Sequence, residues 1–391
     1  MSTVILRDET EKTIRAWDAY ERKRGTASVI DFDCHPENTE VEPASSRIGV
    51  FQRLRELQQE ATEQQTPEVY RRLRSDLAYL RAVLGERLPL NDYVEQTQGC
   101  PALGWTDEYL MHRRDLARDG LAQLGVSWGS KTMEEMSEVE SPLKLDDVPD
   151  AVRQMIADLE PEVRRITGTS APFELVIENV DLDAYWSYWL DGSGQHVRMR
   201  INLRNAVFTE VSARAFTLHE VFGHALQGAS FSARALEADV PWVRLLSVHA
   251  SQQVLLEGLA QALPLFVIPN DQRAMARLSF VHYSHLVRAD LHRLVNAGCS
   301  IEECLARARS LAPYWSDEAI GNILSDRGVN PQLRSYLWAY PAGLDWFMNL
   351  SEAGKEHVDD VLRASYRDPL VPEDLSQLWP DGTAFGGDRV R

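Results

Sequence analysis

Two histidines stand five residues apart in an otherwise apolar run, 218-LHEVFGHALQ-227, and no other feature restricts the fold of this chain as much. A regular α-helix turns about 100° per residue, so His219 and His224 would project about 140° apart. One would face the core and the other solvent. An extra residue accommodated as a π-bulge returns five-apart side chains to one face, and such bulges concentrate at functional sites. Gly223, directly before the second histidine, is the residue best able to tolerate that distortion. The segment is therefore expected to be a distorted helix with both imidazoles aimed at one point.

Two converging imidazoles with a carboxylate, Glu220, beside the first have the makings of a zinc site, which needs about three protein ligands and one open position. The third ligand is expected from a later helix. The run 254-VLLEGLAQAL-263 carries one carboxylate, Glu257, among apolar residues. A buried carboxylate costs several kcal/mol unless it is paired or bound to metal. His219, His224 and Glu257 are thus the expected Zn2+ ligands, and Glu220 the base that would face a bound water.

Most of the chain reads as helix. Thr66-Pro67-Glu68 opens one with a cap, a first-turn proline and an acid, and Val69, Leu73, Leu77, Leu80 and Leu84 trace its apolar face. Thr106 opens another with Leu110, Leu116, Leu121 and Leu124 inward, and Ser300 to Glu303 has the form of a capping box. Further helices are expected near 9–24, 47–64, 148–166, 211–228, 242–266, 271–297, 316–326 and 331–351. Strand signals are confined to 172–204: FELVIENV (173–180), AYWSYWL (184–190) and HVRMRINL (196–203), the last two joined by a hairpin turn at Asp191-Gly-Ser-Gly194. In the last of these Val197, Met199, Ile201 and Leu203 alternate with His196, Arg198, Arg200 and Asn202, so one face is expected in the core. The acidic stretch 137–150 reads as a linker or long loop. The organisation expected is an N-terminal helical region (1–165), a catalytic region (166–370) and a fraying tail (371–391), together one compact unit.

Composition narrows the function. A net charge of −18 with no basic block beyond 21-ERKR-24 argues against a nucleic-acid surface. The first thirty residues contain no apolar h-region or small-residue cleavage site, and no apolar run is long enough to span a bilayer, so a soluble, cytoplasmic protein is expected. The four cysteines (Cys34, Cys100, Cys299, Cys304) lack zinc-knuckle or redox spacing and read as buried thiols.

The pairing of HEVFGHALQ with LLEGLAQAL resembles a bacterial family of zincin-like proteins of poorly defined function. Its signature runs H-E-x-x-P-G-H-h-x-Q and, roughly 35–40 residues later, E-G-W-A-x-Y. The resemblance continues to 338-WAYPAGLDWF-347, similar to that family's late Tyr–Pro–Gly segment, and covers about residues 197 to 350. This chain has no proline before Gly223, is one residue shorter between its histidines, and carries Leu259 and Ala262 where the family has aromatics. The resemblance implies a mainly α, gluzincin-like metallohydrolase with a small antiparallel β element. It implies His219, His224 and Glu257 as ligands, Glu220 as base and Tyr340 as a transition-state donor. The spacing is also similar to that of HELLGH-type dipeptidyl peptidases, although their E-E-x-R-A-E/D motif is absent.

The expected activity is hydrolysis of a peptide or small amide. Two alternatives stay open: a metal-dependent non-peptidase step on a small molecule, and an inert metal-binding protein. By analogy with zincins, strand 197–203 is expected to bind substrate by edge pairing. His249, Tyr283 and His285 are candidates for lining the cleft or for ordinary core positions. Arg288 and Arg293 are candidates for anchoring a substrate carboxylate or for pairing with acids, and His35 is expected in a turn.

Overall fold

The computed structural model describes residues 3–37, 41–183, 187–204, 206–237 and 239–387. The chain is mainly helical, as its periodicities require. Its elements run α1 (Thr3–Lys23), β1 (Phe32–Asp33), α2 (Arg47–Glu63), α3 (Pro67–Val83), α4 (Leu90–Gln98), α5 (Asp107–Gln123), α6 (Thr132–Val139) and α7 (Val148–Thr167). There follow β2 (Glu174–Val180), β3 (Tyr188–Ser193), β4 (His196–Asn202), α8 (Glu210–Phe216), a π-helical segment (Thr217–Leu226), α9 (Gln227–Glu237) and β5 (Leu245–Leu246). The remainder is α10 (Gln253–Val267), α11 (Gln272–Asn296), α12 (Ile301–Leu311), α13 (Asp317–Gly328), α14 (Pro331–Tyr336), α15 (Ala339–Leu350), α16 (Lys355–Ser365) and α17 (Pro372–Leu378).

Two of the three expected caps form; Thr66 does not cap α3 with its side chain, and its hydroxyl donates to the Ala61 carbonyl instead. Thr106 accepts from the Tyr109 N–H, and Ser300 and Glu303 form the reciprocal capping box. On α5, Leu116 is exposed and Ala117 takes the inward position, because the helix turns its 110–117–121 row to the core. Residues 242–252 are not helical. Pro241 precedes them, and this stretch instead lends its backbone to β5 and to buried charged side chains: Arg72 donates to the Leu245 carbonyl, and Glu11 accepts from the Arg244 N–H. The expected linker 137–150 is shorter than the sequence suggests, since α6 runs to Val139 and α7 starts at Val148. Residues past Val371 form α17, and Phe385 stacks on Trp346 with ring centroids 5.1 Å apart.

The β element is not antiparallel only. It is a mixed five-stranded sheet in the order β2-β4-β3-β1-β5. β3 and β4 form the expected hairpin, but the strand continues through Ser193 and the turn falls at Gly194-Gln195, where Gly194 has φ +62°. The first three residues of the expected strand 184–190 lie outside the described residues. β2 pairs parallel to β4, with Glu174 opposite His196, so β4 is interior to the sheet and has no free edge. Edge pairing of a substrate to 197–203 is therefore ruled out, because both of its hydrogen-bonding sides are taken. Val197, Met199 and Ile201 are buried as their alternation requires.

The largest hydrophobic core contains residues from Leu90 to Phe385 and includes the π-helical segment, α10 and α15. A second core joins α1, α2 and α3 with Val243 and Leu245. α3, which belongs to the second core, also carries a buried ion network in which Asp76 binds Arg72 (3.0 Å) and His249 (2.8 Å). Among the described residues no helix is long and apolar enough to cross a membrane.

Candidate metal centre

The helix from Glu210 to Glu237 changes its winding through ten residues, Thr217–Leu226, where hydrogen bonds run i→i+5. Residues five apart then lie one turn apart, so His219 and His224 project together, with ring centroids 4.7 Å apart and planes at 88°. The distortion is a full π-helical stretch rather than a single bulge. Gly223 serves it differently from the sequence expectation. Its φ is not positive; instead α10 passes so close that a Cβ there would stand 2.4 Å from the Ala260 Cβ.

α10 is held equally tightly on its other side. A Cβ on Gly258 would lie 2.5 Å from the Gly343 Cα, and one on Gly343 would lie 2.1 Å from the Val254 carbonyl oxygen. Ala260 therefore seats α10 on the histidine helix, while Gly258 seats it on α15. Glu257, between those two contacts, has its position fixed along and around α10.

The result is a three-atom cluster. The Nε2 atoms of His219 and His224 are 3.1 Å apart, and Glu257 Oε2 lies 3.5 and 3.6 Å from them. Zinc bonds of about 2.0–2.1 Å at tetrahedral angles separate ligand atoms by about 3.3 Å. The three observed separations bracket that value. Glu257 Oε2 is buried with no hydrogen-bond partner, while Oε1 accepts from the Tyr336 hydroxyl. An orphaned carboxylate oxygen aimed between two imidazole nitrogens fits a divalent cation, and the donor set of two nitrogens and one oxygen fits zinc.

The electrostatics show how poorly this cluster is satisfied by itself. Burial and the neighbouring His224 push the His219 imidazole down to about 3. Burial also opposes a proton on His224, but Glu257 and then Glu220 raise it above its ordinary value. Burial would raise Glu257, yet His224, His219 and the Tyr336 hydroxyl hold it below the usual carboxylate range. Glu220 Oε1 lies 3.7 Å from His219 Nε2, and burial raises its carboxyl to about 7 against the pull of His224.

These groups open into a cavity of about 1120 Å3. Tyr340 lies in its wall, and its hydroxyl is 2.7 Å from that of Tyr336. Pro341 does not kink a helix interior; it stands in the first turn of α15, where its missing N–H is harmless, and the break falls at Leu337-Trp338. His285 also lines the cavity and stacks on Tyr340 with centroids 5.4 Å apart at 9°. Arg288 lines it as well.

Other candidates lie elsewhere. His249 is bound to Asp76 and stacked on Tyr79, and Tyr283 donates to the Leu311 carbonyl, so both are core residues. Arg293 faces Asp290 at 3.8 Å. His35 follows β1, and its backbone N–H donates to Asp33 Oδ1 in a turn, as expected. All four cysteines are free; Cys299 is half-buried and the others are buried.

Sequence reasoning missed Tyr336 and Asp31. Tyr336 carried a signal, since it precedes Tyr340 by four residues. Asp31 carried none: it reaches the cavity only because β1 pairs with β5, the strand that precedes α10. It is open to the cavity, whose walls desolvate its carboxyl and raise its pKa against the pull of His224.

No protein-family model matches the chain, and no curated protein does. Among solved structures, one described as "the putative lipoprotein from Colwellia psychrerythraea" is similar at a TM-score of 0.54 and 13% identity. The match covers 84% of this chain but only 59% of that one, and the likeness is one of fold alone.

Proposed function

We propose that this protein is a zinc-dependent hydrolase of peptide or small amide bonds, built on a zincin-like plan. What carries the reading is the orphaned Glu257 Oε2, facing two imidazole nitrogens at ligand-to-ligand distances, with a fourth group, Glu220, beside them in a cavity. His219 Nε2, His224 Nε2 and Glu257 Oε2 would hold the ion. When bound, zinc polarises an amide carbonyl and brings the pKa of water down to about 7.

The protein's own groups do the rest. Glu220 accepts the proton that water loses as its oxygen attacks the carbonyl carbon. It returns that proton to the nitrogen as the C–N bond breaks, leaving a carboxylate and an amine. Tyr340, whose hydroxyl proton points to Tyr336 while Tyr336 donates to Glu257, would turn that proton to the oxygen on which charge accumulates. Tyr336 supports both sides, bonding Tyr340 and donating to Glu257 Oε1, which would leave Oε2 free to hold an ion. The cavity is of the size that encloses a small molecule or a few-residue peptide, which favours such substrates over long chains.

The test is Glu220→Gln, with metal content, melting temperature and turnover of short peptides and acyl amides measured together. A base is expected to leave zinc near one per chain and stability unchanged, while turnover falls by roughly 10²–10⁴-fold. Unimpaired turnover in the variant refutes the role of Glu220. Absence of zinc from the wild-type protein, even after addition, refutes the metal centre.

A further inference from the structure

One face of α11 runs along the cavity, with Arg277, Val281, His285 and Arg288 on successive turns. The two arginines on this face differ. Arg277 is neutralised by Glu140 at 2.6 Å, as expected in a chain with 59 acidic and 41 basic residues. Arg288 makes no ion pair and no hydrogen bond with any described residue; its guanidinium only faces the Trp315 ring at 5.6 Å. It is half-buried in the cavity wall, and burial depresses its pKa.

A second arginine compounds the imbalance. Arg327 on α13 is buried, has no ion-pair partner among the described residues, and leaves its Nε unbonded. Burial and then Arg288 push it down to about 9. A buried and a half-buried arginine of like charge, neither with an ion-pair partner among the described residues, are costly, because each loses hydration and repels the other. An anion arriving from the cavity side would relieve both costs, and Arg288 is the member of the pair that the cavity reaches.

We propose that Arg288 is an anion-recognition residue and that the substrate carries a free carboxylate, seated at Arg288 beside the Tyr340–His285 stack. This deepens the hydrolase reading and rests on it for the reaction, though not for the anion site. A carboxylate fits better than a phosphate. The planar guanidinium matches its two oxygens, whereas a dianion would meet Asp31, Glu220 and Glu257 in the same cavity. Arg288 lies one helical turn beyond His285. His285 stacks on Tyr340, and Tyr340 reaches Glu257 through Tyr336. The carboxylate thus belongs to the part of the substrate that lies away from the three ligands.

The test uses N-benzoyl glycine, alanine, leucine and phenylalanine, each as free acid and as primary amide. Binding is titrated calorimetrically to the full chain, zinc-loaded and chelator-treated. In at least one pair the acid is expected to bind about 10-fold or more tightly than the amide, and to keep that preference after chelation. Arg288→Gln should abolish the preference while amide binding persists, which also reports that the variant is folded. Arg288→Lys should retain part of it. No acid preference in any pair, or a preference that Arg288→Gln leaves intact, overturns the proposal. A preference that vanishes on chelation and ignores Arg288 assigns the carboxylate to the metal and overturns it too. An Arg288-dependent preference in a protein that hydrolyses none of the amides removes the hydrolase reading and leaves the anion site standing.

Discussion

Gly223→Ala adds one methyl group at the point where the histidine helix meets α10. Its Cβ would stand 2.4 Å from the Ala260 Cβ and 2.6 Å from the Ala260 Cα, where ordinary contact begins at 3.4 Å. The two helices must separate by about 1 Å at the crossing. α10 cannot yield backwards, because Gly258 already lies against Gly343. Overpacking of this kind costs about 1–3 kcal/mol, and two rigid backbones put this case at the upper end. Any separation also carries Glu257 away from both imidazoles, whereas a metal site tolerates only about 0.2 Å.

The expected result is a protein about 2–3 kcal/mol less stable to urea, with zinc lost to a competing chelator about 10-fold more readily. Adding Ala260→Gly removes the 2.4 Å contact but leaves the 2.6 Å one, so rescue should be partial. Gly321→Ala on α13 is the control: a Cβ there meets nothing within 4 Å, and the change should be neutral or stabilising by up to about 1 kcal/mol. If Gly223→Ala matched the wild type in both urea stability and zinc retention, the close crossing would not be what holds Glu257 in place.

Tyr336→Phe removes the donor to Glu257 Oε1 and should weaken zinc retention by about 10-fold or more with the fold intact, measured by chelator competition. Tyr340→Phe should lower kcat by about 10²-fold with KM and zinc content nearly unchanged; normal turnover would return it to a packing role. Asp76→Asn leaves Arg72 buried without its counter-charge and should cost about 3–5 kcal/mol in urea unfolding. Asp76 is held below its ordinary pKa by Arg72 and then His249, against burial. Its contribution is therefore complete above the unfolded carboxylate pKa near 4 and is lost as pH falls further, so the gap between wild type and variant should narrow in acid.

What the sequence disclosed and what it hid divide along a physical line. A helix imposes a period, so the mismatch of a five-residue spacing with 3.6 residues per turn was visible as a demand for i→i+5 winding. Burial imposes a chemical demand, so a lone carboxylate in 254-VLLEGLAQAL-263 signalled that Glu257 needs a partner. Neither rule reports which elements meet. The sheet was misjudged because strand runs carry their alternation in sequence but not their neighbours: the parallel pairing of β2 with β4 depends on the path of the intervening chain. Residues 242–252 have a helical apolar content, yet Glu11 and Arg72, far upstream, claim their backbone.

The same division explains the EGLA run. Glu257 was legible because of its charge, but Gly258 and Ala260 looked like neutral filler, since their smallness matters only against Gly343 and Gly223. Those four positions form two matched pairs, and each pair fixes one flank of the helix that carries Glu257. A variant that restores the period and the charge while enlarging one member of a pair would keep every feature that sequence reasoning uses. It would still displace Glu257. The precision of this cluster therefore depends less on His219, His224 and Glu257 themselves than on the absence of side-chain atoms at the two crossings beside them.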